Sequence, residues 1–184
     1  MQKLNANMAA ADMATQAELD GEASARAAAI AAALTGSAVK TANVTTTASA
    51  TTTTIIPGDD SIPQITEGGE FMTLAYTPLG AANKLRIDVV LNLAGSVSGY
   101  LTGALFVDAT ANALAAGVCF CAAGNAPGQV CFTVWLTVGS TTARTYRARA
   151  GLSSAGTTTF NGANGARLFG GVMASSISIT EFKV

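Results

Sequence analysis

The side chains able to do chemistry in this 184-residue chain are few. Histidine does not occur, which removes Ser-His-Asp and Cys-His arrangements and the commonest general base near neutral pH. Two carboxylates suffice for glycoside hydrolysis. After residue 54 the chain offers Asp59, Asp60, Glu67, Glu70, Asp88, Asp108 and Glu181, with no pair identifiable as acid and base. Asp59 and Asp60 sit in the turn-rich string PGDDSIP, where a solvated turn is the expected role. Such a pair binds Ca2+ only with further oxygen ligands, which the sequence does not place. Neither a GK[ST] phosphate loop nor a GxGxxG fingerprint occurs. No catalytic residue, cofactor site or metal site is expected.

Three other groups remain. Cys119, Cys121 and Cys131 are odd in number, and no histidine joins them, so neither a disulfide framework nor a zinc site fits. Buried reduced thiols acting as small apolar residues are expected. Arg144, Arg147, Arg149 and Arg167 form the local basic cluster. Arg147 and Arg149 share a strand face and could clamp an anion, but pairing with Asp88, Glu181 or neighbouring carboxylates is the expectation. Tyr100, Trp135 and Tyr146 are rings that could stack on sugars. Each lies in a predicted strand, where packing is the commoner role.

The elements that must position these groups are mostly strands. The string KLRIDVVLNL, 84–93, puts Leu85, Ile87, Val89 and Leu91 on one face and Lys84, Arg86 and Asp88 on the other. Comparable strands are predicted over 71–77, 100–108, 114–122, 129–138, 144–150 and 176–184. In the last, Ile177, Ile179 and Phe182 are expected to point inward. The strands over 114–122 and 129–138 read as an antiparallel pair around the turn GNAPG. Eight or nine short strands separated by Gly, Pro, Asn and Ser, with no helix between them, argue a β-sandwich or jelly roll over 55–184.

The N-terminal third differs. Residues 12–34 read as one Ala-rich helix with Asp12 at its N-cap, an i, i+4 pair between Glu22 and Arg26, and Gly36 as its stop. Residues 1–11 show no clear period. Met8, Leu19 and Ile30 lie eleven apart, as do Ala23 and Leu34, a spacing that keeps one seam on one side of a helix. The seam Leu19, Ala23, Ile30 and Leu34 is too thin to cover a sheet and suits a bundle of helices. The domain reading is therefore 1–36 helical stalk and attachment, 37–54 Thr/Ser/Ala-rich linker, and 55–184 distal β domain.

Composition points the same way. Charged residues are 11%, below the roughly 25% of an average soluble domain, and the formal net charge is -1. That balance gives no electrostatic case for nucleic acid or an anionic membrane. No apolar run approaches the ~20 residues of a membrane span, and the N-terminus lacks the pattern of a secretory signal. So few charges leave a weakly polar surface, which favours burial against other copies.

The strings GTTTFNGANGARLFGGVMASSISITEF, DDSIPQITEGGEFMTLAYTPLGAANKLRIDVV and ALFVDATANALAAG resemble a recurrent domain of bacteriophage fibre proteins. MATQAELDGEASARAAAIAAAL resembles the helical stalk segments of phage tail fibres. The resemblance implies a homotrimer with an N-terminal coiled-coil stalk and a jelly-roll head of the tumour-necrosis-factor type. Its N-terminus would join another virion protein, and its head would meet a bacterial surface glycan or protein. The expected location is the virion surface, after assembly in the host cytoplasm. The alternatives are a capsid decoration or head-fibre protein and, further off, a glycan-degrading enzyme. Candidate receptor contacts lie in three loops: Ser96 and Ser98, Asn125, and Ser153 and Ser154.

Overall fold

The computed structural model describes the backbone of residues 2–184, and side chains throughout except at 2, 4–12 and 14. It divides into two units, residues 1–37 and 38–184.

The first unit is a single helix, α1 (Gln2–Ala33). It begins ten residues earlier than expected, so Asp12 lies inside it and is not the N-cap. Alanine, leucine and methionine, all strong helix formers, carry the backbone through 2–11 without an amphipathic period. The side chains of Asp12 and Met8 lie outside the described residues. Gly36 adopts φ +78°, a left-handed conformation that suits glycine and follows the last turn. Arg26 Nη2 donates to Glu22 Oε1 at 2.6 Å on the exposed helix surface.

The second unit is a β-sandwich of twelve strands, some only two or three residues long. They are β1 (Ala38–Thr46), β2 (Ala50–Thr52), β3 (Gly69–Tyr76), β4 (Lys84–Gly95), β5 (Gly99–Val107), β6 (Ala115–Cys121), β7 (Pro127–Thr137), β8 (Arg144–Leu152), β9 (Thr158–Phe160), β10 (Gly162–Ala163), β11 (Ala166–Arg167) and β12 (Ser175–Phe182). One sheet runs β3-β8-β5-β6. The other centres on β4, which pairs with β7 along one edge and with β12 and then β9 along the opposite edge. β1 pairs with β12 and β2 with β9, so β1 and β2 form the outer border. All pairings are antiparallel.

Alternation builds the core between the sheets. Leu85, Ile87, Val89, Leu91 and Leu93 of β4 and Ile177 and Ile179 of β12 are buried from one side. Leu101 and Leu105 of β5, Met72 and Tyr76 of β3, and Tyr146, Ala148 and Leu152 of β8 are buried from the other. Phe71 and Phe160 stack across the gap, with centroids 4.6 Å apart. A smaller cluster lies on the back of the second-named sheet's partner, β3-β8-β5-β6: Ile56 seals over Ala104 and Phe106, with Ile65 and Ala113 alongside. Gly151 permits this cover, because a Cβ there would meet the Thr54 carbonyl oxygen at 2.7 Å.

Three expectations need correction. The segment 37–54 is not merely a linker, since β1 and β2 lie within it and Ala42 and Val44 pack on the core. Its β-branched residues favour extended chain, and every second one in β1 faces inward. β6 and β7 are not paired with each other: β6 pairs with β5 and β7 with β4, so the chain changes sheets through 122–126. Phe182 faces outward beside Trp135, and the inward position of that phase belongs to Glu181.

Candidate functional site

The three candidate loops come together at one end of the sandwich. Residues 96–98 join β4 to β5, 122–126 join β6 to β7, and 153–157 join β8 to β9. Ser96 exchanges hydrogen bonds with Thr157: its N–H donates to Thr157 O at 2.8 Å, and its Oγ accepts from Thr157 N at 2.8 Å. Asn125, at φ +65°, donates its N–H to Gly95 O at 2.6 Å. Ser153 Oγ accepts from Tyr100 N at 3.2 Å. Ser98 and Ser154 are exposed beside these contacts. Thus Ser96, Asn125 and Ser153 hold the loops in place.

The other end of the sandwich is where the chain enters it. Ala38 pairs with Phe182, and Phe182 pairs with Lys84 at the start of β4, whose far end is Gly95. Twelve residues of strand separate the two ends by roughly 36 Å.

Running back from the loop end is a groove on the outside of β5 and β6. It encloses about 420 Å3 and is bounded by Pro57, Asp59, Ser61 and Pro63 on one wall, with Tyr100, Thr102 and Val118 on the other. It continues past Asp60 and Ile62 toward residues 113–116. Gly58 sits close under Ser153, linking this groove to the loop end. Tyr100 is 50% exposed and Phe120 62% exposed; their rings meet edge to face with centroids 5.5 Å apart. Asp59 Oδ1 accepts from the N–H and the hydroxyl of Ser61, and these bonds hold its carboxyl below the usual carboxylate range.

Tyr100 was readable as a candidate ring, but Phe120 and Val118 escaped the sequence argument. In AAGVCFC both phases of β6 are apolar, so alternation does not say which one faces out. Trp135, expected to pack, is 55% exposed on the outside of β7 against Phe182. Tyr146 is buried, as its packing role required, and burial raises its phenol pKa. The cysteines do not behave alike. Cys121 is buried, Cys119 is half-buried with a thiol pKa raised by burial, and Cys131 is exposed on the outer face of β7. Among the described residues all three are free thiols.

Of the basic cluster, Arg144, Arg147 and Arg149 are engaged in holding the fold, and Arg167 is exposed on β11. Arg147 and Arg149 both reach Glu70, at 3.1 and 3.4 Å. Arg149 also donates to the carbonyls of Glu67 and Gly68, and Arg147 to that of Asp108. Asp108 accepts from Thr145 N and pairs with Arg144. Asp88 pairs with Arg86 and accepts from Thr133. Neither Asp88 nor Glu181 is the partner of Arg147 or Arg149. Glu181 is fully buried and accepts from Tyr76 Oη, Asn83 Nδ2, Leu79 N and Gly80 N. Burial alone would raise its pKa, but these donors together bring it below the ordinary glutamate value. Among the described residues no group of three or more acidic or cysteine side chains is placed to hold a metal ion.

No protein-family model matches the chain, and no curated protein is similar to it in sequence. Solved structures of similar fold exist. The globular domain of zebrafish complement 1qA aligns over 78% of this chain and 96% of its own, with 13% identity and a TM-score of 0.41. A carbohydrate-binding module, CBM36, solved with calcium and xylotriose, aligns over 75% of this chain and 98% of its own, with 10% identity and a TM-score of 0.36. The delta-endotoxin Cry8Ea1 of Bacillus thuringiensis aligns over 65% of this chain with 11% identity and a TM-score of 0.38, and the chain spans 19% of its length. Likenesses of this grade leave function to be argued from the chain's own residues.

Proposed function

We propose that the protein is a non-enzymatic bacteriophage fibre: a homotrimer whose helices bundle into a stalk and whose β units form a head that attaches to the host surface. The observation that carries this reading is the polarity of the β unit. The chain enters it beside Ala38 and Phe182, and the three loops gather at the opposite end. A unit built this way, fixed at its entry, presents the loops and the adjoining groove outward.

The stalk supports trimerisation. Leu19 and Ile30 are 60 and 61% exposed on a helix whose described residues after Thr15 are exposed without exception, and Leu34, in the turn directly after it, is 40% exposed. At 100° per residue, Leu19, Ala23, Ile30 and Leu34 fall within a sector of about 60°. An isolated helix with that stripe in water is marginal, and packing against like helices supplies the missing burial. Three copies also give a weak binding site avidity.

The strand order supports the finer fold. Merging β1 with β2 and β9 with β12 gives two four-stranded sheets, and the chain changes sheet at every step except from β5 to β6, the pattern of a jelly roll. The carboxylates support a binding role over catalysis, since Glu70, Asp88, Asp108 and Glu181 are each tied to structural partners. The reading is tested by sedimentation of the full chain and by labelling virions with an antibody to the head. A particle of three times 18.3 kDa and label on tail or capsid fibres are expected. A monomer, or virions without label, would overturn it.

A further inference from the structure

Building on the attachment reading, we infer that the groove beside Tyr100 is a subsite for a neutral sugar ring. Its chemistry is mixed in a specific way. Tyr100 and Val118 give it apolar wall, and Phe120 extends that wall past the groove with its ring braced edge to face on Tyr100. The opposite wall carries the polar groups, Asp59 and Ser61, set between Pro57 and Pro63. A pyranose is polar at its rim and apolar on its C–H face. An exposed ring opposite hydroxyl and carboxylate acceptors matches both surfaces at once.

Charge narrows the class. The groove and its continuation carry Asp59 and Asp60, and among the described residues no lysine or arginine lines either part. The nearest arginines on the same sheet, Arg147 and Arg149, are held by Glu70 and by backbone carbonyls. An anionic sugar would meet like charge with no cation to offset it. A neutral one would find in Asp59 a carboxylate already oriented by Ser61. The rigidity of the site follows from its supports. The turn is tied down by Ser61 on Asp59, and β5 is held to the loop end by Ser153 on the Tyr100 amide. A volume of about 420 Å3 falls within the range of small-ligand sites.

The test is saturation-transfer NMR on the full chain with methyl glucoside, methyl galactoside and methyl mannoside, and with glucuronate as the anionic counterpart. Transfer to the ring C–H protons of at least one neutral glycoside is expected, with none to glucuronate. Tyr100→Ala and Phe120→Ala should each weaken that binding about tenfold, with the thermal midpoint unchanged because both side chains are more than half out of the core or at its limit. Val184→Ala, exposed at the entry end of the sandwich, should leave it unaltered. No transfer from any neutral glycoside, equal transfer to glucuronate, or full binding by both aromatic variants would overturn the proposal. So would a change of sedimented mass in Tyr100→Ala, which would make the groove a contact between copies. Adsorption of labelled protein to a panel of bacteria separates the two readings. Wild-type adsorption that survives both aromatic substitutions sinks the groove and leaves attachment standing, whereas absent wild-type adsorption sinks attachment itself.

Discussion

Tyr76 donates its phenolic hydrogen to Glu181 at 2.7 Å inside the sandwich, joining β3 to β12. The carboxylate also gathers the amides of Leu79 and Gly80 and the side chain of Asn83, so one residue near the end of the chain fixes the whole turn between β3 and β4. Because no cation touches it among the described hydrogen bonds, its charge is carried by neutral donors.

That arrangement makes stability depend on acid. The folded pKa of Glu181 lies below the ordinary value of 4.5, so the unfolded chain binds the proton more readily. The contribution is present in full above that value and is lost as the pH falls through the folded pKa. The thermal midpoint should therefore drop on acidification below about pH 4, and Glu181→Gln should shrink this group's part of the drop. At neutral pH the same substitution should cost about 2 kcal/mol, since an amide cannot accept from every donor now bound. Calorimetry across pH checks both statements.

Asn161 is a second hub. It is buried at φ +51°, donates through Nδ2 to the carbonyls of Thr46 and Ala48, and accepts from Ser175 Oγ. Asn161→Ala should destabilise the β unit by about 3 kcal/mol, combining lost bonds with left-handed strain. Asn161→Gly removes the bonds but not the permitted backbone, and should fall between wild type and alanine in chemical denaturation. Equal stability of the two variants would mean that backbone strain contributes nothing there.

The stalk gives a third expectation. Ile30→Asp, placing a charge on the seam, should convert the assembled species to a lighter one in sedimentation. Met13→Asp, 120° away from Leu19 around the helix, should not. Matching behaviour of the two would exclude the seam.

Ser49 offers a fourth. Its Oγ is buried with no hydrogen-bond partner among the described residues, so Ser49→Ala should leave denaturant stability unchanged or raise it by up to about 1 kcal/mol. A clear loss would mean that the hydroxyl has a bond in solution.

Strands β3 to β8 and β12 were legible in the sequence because their alternation is strong: KLRIDVVLNL states its inner face outright, and the expected bounds fall within a few residues of those observed. What stayed hidden was long-range. Nothing local in 114–122 and 129–138 says that these neighbours belong to different sheets, because a GNAPG turn serves a crossover as well as a hairpin. The Thr-rich stretch 37–54 reads as linker until β12 is there to pair with it. Of the site, the three loops were visible as turn-forming strings, but their convergence depends on topology. Phe120 was missed because its own phase and the opposite one are equally apolar. By sequence Glu181 reads as a free acid or an arginine partner, because its cage of amides has no local signature.

β9 and β12 lie in line along the same edge of β4, and β1 and β2 lie in line beside them. Both borders are interrupted at one level, where Asn161 bridges the break. Residues 162–174 are thus a detour between two halves of what is otherwise a continuous ladder. Its two ends are tied in, Ala174 O to Asn92 and Gly165 N to Thr159, so exchange confined to 166–171 should leave the sheets on either side in register.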